Sequence, residues 1–90
     1  MDEKLRKVIE KKIDEVFINT DEIKKIIDSL NELSTEKNAF SFGIIIGRLY
    51  NSFYYQCRRL LQRDPTDQEF SEFLEILKKR QAEFLKKFSK

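Results

Sequence analysis

Apolar residues recur along most of the chain at intervals of three and four, the spacing that lines up one face of an α-helix. Leu5, Val8, Ile9, Ile13, Val16 and Phe17 make the first such stripe and predict a helix over 2–18. On its other face Lys4, Lys7, Lys11 and Lys12 mix with Glu10, Asp14 and Glu15. That mixture describes a solvated exterior, and the acids argue against a basic helix lying on a membrane. Asn19-Thr20 interrupts the pattern. Ile23, Ile26, Ile27, Leu30 and Leu33 then form a narrower stripe, predicting a helix over 21–33 with Thr20 or Asp21 as its cap.

Ser34-Thr35-Glu36 is the next punctuation, with Ser34 or Thr35 as the expected cap of a third helix over 36–63. At 1.5 Å per residue this helix would run about 42 Å. Its apolar positions include Phe42, Ile45, Ile46, Leu49, Tyr50, Phe53, Tyr54, Cys57, Leu60 and Leu61. They spread over roughly 200° of the helix, well beyond the stripe of a surface helix. Such a helix needs cover from more than one side. The Asn38–Gly43 region contains weak helix formers, and the spacing alone leaves its continuity open.

Gly43 and Gly47 are the only glycines, and they stand four apart on this helix. Each costs about 1 kcal/mol relative to Ala in a helix interior. They predict close helix–helix packing, either inside one chain or across a homodimer, with Ile46, Tyr50, Phe53 and Tyr54 around them. The remaining arc carries Arg48, Asn51, Ser52, Tyr55, Arg58, Arg59 and Gln62, and no acid. Arg48, Asn51, Tyr55, Arg58 and Arg59 are candidates for contact with a protein partner or nucleic acid, the arginines on phosphates and Tyr55 on a base. The competing expectation is an ion-paired face, closed by acids such as Asp14, Asp28 or Glu32.

Asp64-Pro65-Thr66 ends the third helix, because the residue before proline avoids helical geometry. Thr66 with Glu69 three later is a capping box, the sharpest local signal in the chain. It opens a fourth helix over 66–88, with Phe70, Phe73, Leu74, Leu77, Gln81, Phe84 and Phe88 along one face. Lys78, Lys79, Arg80, Lys86, Lys87 and Lys90 make its end basic, which suits the helix dipole. Lys78 and Lys79 join the candidate contacts to nucleic acid or an acidic partner.

These elements predict an all-α fold in a single domain, 1–90, of three to four helices around a long antiparallel helical hairpin. The first two helices are too short to cover that hairpin. The uncovered apolar surface predicts a homodimeric bundle. Charge adds a polarity along the chain: residues 1–36 hold seven basic and ten acidic side chains, residues 37–90 eleven and six. The overall balance of +2 is weak for a protein that coats nucleic acid.

Composition removes most chemistry. There is no histidine, the commonest general base and metal ligand. Cys57 sits in the apolar arc and reads as a buried, inert thiol. Tyr50 and Tyr54 lie on the same arc and read as packing residues. Two glycines within one helix are not a phosphate loop. No cofactor, no metal and no enzymatic activity are expected. A single cysteine, a charged start and no long apolar run point to the cytoplasm rather than secretion or a membrane. The expected function is a small self-associating protein-interaction or scaffolding module. The alternative is a modest nucleic-acid binder that uses the Arg/Tyr stripe and the basic C-terminal helix.

Overall fold

In a computed structural model that describes residues 1–88, the protein is all-helical. Five α-helices follow in order: α1 (Glu3–Ile18), α2 (Thr20–Ser29), α3 (Lys37–Leu61), α4 (Asp67–Lys79) and α5 (Gln81–Phe88). A single 3-10 turn, Asn31–Leu33, follows α2, and there is no strand among the described residues. Lys90 lies outside the described residues.

Local chemistry sets most of the boundaries. Asp2 caps α1 by accepting from the amides of Lys4 and Leu5 at 2.9 and 3.1 Å. Asn19 alone separates α1 from α2. Thr20 is already helical, so neither it nor Asp21 caps α2, which has no side-chain cap. Helix α2 also stops at Ser29, short of the expected Leu33, and Leu33 is exposed. Ser29 and Asn31 are poor helix formers and no neighbour rewards continuation there.

Ser34 does not cap α3. Its hydroxyl accepts from the Glu36 amide at 3.0 Å and donates to the Glu36 carbonyl at 3.3 Å, closing a local turn. Helix α3 then runs without interruption through Asn38–Gly43. It ends at Gln62, which adopts the left-handed conformation (φ 57°) and donates its amide to the Arg58 carbonyl.

The turn into α4 has the expected capping box. Glu69 donates its amide to Thr66 Oγ1 at 3.1 Å, and the Thr66 amide donates to Glu69 Oε1 at 2.9 Å. Arg63 adds two further bonds to the Glu69 carboxylate, at 2.7 and 3.1 Å. These partners explain why a glutamate is buried here.

The expected single helix over 66–88 is two helices. Arg80 breaks it, its amide shared between the carbonyls of Ile76 and Leu77 at 3.2 Å each. No glycine or proline marks the site. The cause is tertiary: the Arg80 side chain turns to α1, and the break brings Phe84 against Phe17 with ring centroids 5.2 Å apart.

Helix α3 is the centre of the fold. Helix α1 packs along it, and α2 and α5 add further contacts. Leu5, Ile9, Ile13 and Val16 of α1 bury against the side of α3 that carries Ile45, Leu49, Phe53 and Cys57. Phe73 of α4 stacks on Phe53 at 4.4 Å. Full burial of one such side chain is worth about 1.5–3 kcal/mol. Among the described residues, no helix is long and apolar enough to cross a membrane.

Candidate functional site

Helix α3 shows two different faces once its neighbours are in place. Its buried side is covered by α1 and α2, with Phe73 of α4 and helix α5 completing the cover. The side bearing Gly43, Ile46, Gly47 and Tyr50 is exposed. A Cβ added at Gly43 or Gly47 would meet nothing within 4 Å. Among the described residues, the glycines therefore do not serve close packing.

Apolar side chains surround them. Tyr50 is 44% exposed and Leu74 of α4 is 47% exposed. Tyr50 packs edge-on against Tyr54 at 5.1 Å and Phe70 at 6.0 Å. Beside this patch a groove of about 470 Å³ runs between α3 and the α4–α5 pair, with Phe42, Ile46, Leu74 and Leu85 among its walls and Lys78 at its rim. Phe53 lies elsewhere: it is fully buried in the core and takes part only in packing within the chain. Leu74 belongs to the face although its periodic position in the last helix marked it for burial.

The arginine stripe is partly closed. Arg48 lies 3.7 Å from Glu22, Arg58 lies 2.6 Å from Asp64, and Arg59 donates to Gln56 at 2.9 Å. The first two pairs are well exposed and add little stability. Asp14 does not join the stripe; it pairs with Arg80. Neither Asp28 nor Glu32 forms an ion pair among the described residues. Tyr55 stands 60% exposed. With Asn51, Arg58 and Lys12 it lines a shallow depression. Arg48 opens onto a separate one, beside Lys12 and Glu15. Lys78 and Lys79 are exposed and share neither depression.

The titratable groups mark structure more than chemistry. Burial pushes the Cys57 thiol pKa up, which removes its nucleophilic form at neutral pH. The Arg63 guanidinium, with the Thr66 amide, holds the Glu69 carboxyl down to about 2. Among the described residues, no three metal-ligating side chains are grouped to hold an ion. No protein-family model matches the chain, and neither a curated protein nor a solved structure matches it.

Proposed function

We propose that the protein is a non-enzymatic, self-associating interaction module, and that two copies meet across the exposed glycine face of α3. The open ground around Gly43 and Gly47 carries this reading. Two glycines cost a helix about 2 kcal/mol relative to alanines. Nothing among the described residues uses the room they leave, and a helix from outside can take it. A second copy supplies a matching face by symmetry, and a two-fold contact uses one patch twice. Ile46, Tyr50, Tyr54 and Leu74 then close around the crossing. The antiparallel arrangement of α3 with α4–α5 frames that interface, and the adjoining groove extends it. The lone buried thiol of Cys57 suits a reducing, cytoplasmic setting.

Sedimentation equilibrium of the wild type and of a Gly43→Leu, Gly47→Leu variant tests this. The wild type is expected to dimerise in the micromolar range. The variant is expected to stay folded, because both sites are open within the chain, and to sediment as a monomer. A variant that dimerises like wild type removes this interface.

A second use rests on Tyr55. A solvent-facing aromatic flanked by Arg58, Asn51 and Lys12 is a surface on which a base stacks while cations hold phosphates. Anisotropy of labelled oligonucleotides across a salt series tests it. Affinity should fall steeply with salt and should fall in Tyr55→Ala with no change in melting temperature. Absence of binding at low salt eliminates it.

A further inference from the structure

A cleft of about 330 Å³ opens at the other end of α3, between the first turn of that helix, α2 and the end of α5. Lys24, Lys37, Lys86 and Lys87 line it, against one acid, Asp28. None of these lysines forms an ion pair among the described residues. They come from three helices, so sequence spacing does not announce them. Four like charges against a single acid repel one another, and an anion relieves that repulsion.

The backbone supplies directed donors at the same place. The first intrahelical bond of α3 runs from the Phe40 amide to the Glu36 carbonyl. The amides of Lys37, Asn38 and Ala39 precede it, and α3 has no side-chain cap. A helix start of this kind carries partial positive charge and attracts anions.

Ser41 is an independent sign of a ligand. It is only 5% exposed, yet it lines the cleft. Its hydroxyl has no hydrogen-bond partner among the described residues. Side chains on a helix lean toward its N-terminus, which aims this hydroxyl over the first turn. Facing the cleft without a protein partner, this hydroxyl is free to bond a ligand there. Ile23, Ile27 and Phe88 form an apolar wall beside these donors.

We propose that this cleft binds a soluble phosphate monoester, with the phosphate on the α3 amides and Ser41 and its apolar group against Ile23, Ile27 and Phe88. The lysines supply the counter-charge. This site is separate from the glycine face and does not depend on it.

Amide chemical-shift titration of the full chain at fixed ionic strength tests the proposal, with inorganic phosphate, phenyl phosphate and vesicles containing phosphatidic acid as probes. Inorganic phosphate should saturate weakly, and the responses should centre on Lys37, Asn38, Ala39 and Ser41. Phenyl phosphate should bind about tenfold tighter, through contact with the apolar wall. Ser41→Ala should weaken phenyl phosphate about fivefold. Lys37→Gln with Lys87→Gln should weaken it about tenfold while leaving the fold intact, since both side chains are exposed. Shifts that never saturate, that scatter over all lysines, or that chloride reproduces would overturn the site. Binding to vesicles without binding to phenyl phosphate would overturn the soluble ligand in favour of a lipid headgroup.

Discussion

Arg80 Nη2 lies 2.7 Å from Asp14 Oδ1, so the break between α4 and α5 is tied to the middle of α1. The same guanidinium reaches Glu10 Oε1 at 3.2 Å and Glu83 Oε2 at 2.7 Å. It also lies over the Phe17 ring, 5.4 Å from the centroid. Its side chain is 17% exposed, whereas its acidic partners reach water. The surrounding carboxylates raise its pKa further, so it is charged at every pH of interest.

Removing this anchor should loosen α5 from α1. Arg80→Met keeps much of the stem and loses the charge-assisted bonds, each worth about 1.5–3 kcal/mol at most. The acids left behind are hydrated, so the net loss should be about 2 kcal/mol in urea unfolding. Amide exchange should rise first in α5. A loss below about 0.5 kcal/mol, the range of ordinary surface substitutions, would show that the network is ornamental.

Gln62 gives a prediction of opposite sign. It holds φ at 57°, a conformation that costs a residue with a Cβ about 1 kcal/mol and costs glycine almost nothing. Gln62 is exposed and its side chain makes no hydrogen bond among the described residues. Gln62→Gly should therefore stabilise the protein, by about 0.5–1 kcal/mol. Thermal unfolding at a fixed protein concentration measures it, and a drop in melting temperature would refute it.

The turn between α3 and α4 predicts an acid-sensitive step. Glu69 has a folded-state pKa of about 2, below the ordinary 4.5. A depressed carboxyl stabilises the fold above its unfolded pKa and loses that contribution as pH falls toward its folded pKa. The window is therefore about pH 4.5 down to 2. The contribution should be about 2 kcal/mol, below the full conversion of the shift because Arg63 is half in water. Glu69→Gln should lower stability at pH 7 and flatten the pH dependence across that window. An unchanged acid limb would place the titration elsewhere.

The sequence reaches the helices and the core more fully than it reaches the surfaces. The capping box of Thr66 and Glu69 and the stripe of Leu5, Ile9, Ile13 and Val16 depend on neighbours in sequence, and periodicity reports them. The break at Arg80 depends on Glu10 and Asp14, which are distant along the chain, and no local signal carries it. Arg48 and Arg58 form a stripe on a helical projection, yet a projection is blind to Glu22 on another helix. The glycine spacing picks out one position on α3, but that this face is open is visible only with the neighbouring helices in place. The lysine cleft was invisible for the same reason, since Lys24, Lys37 and Lys87 converge only in three dimensions.

The glycine face makes one further prediction, and it separates stability from association. Gly43→Ala and Gly47→Ala meet no atom within 4 Å in the chain, so neither methyl strains the protomer. Each change should raise protomer stability by about 0.5–1 kcal/mol through helix propensity. If two copies cross at these positions, the same methyls push the backbones apart. Ligand linkage then applies, with the second copy as ligand: the wild-type melting temperature rises with protein concentration. The double alanine variant should melt above wild type when dilute, and its melting temperature should depend much less on concentration. The two curves should converge or cross as concentration increases. Parallel curves, with the variant higher throughout, would mean that the glycines are merely unfavourable residues in a solvent-facing helix, and the interface would have to be sought elsewhere.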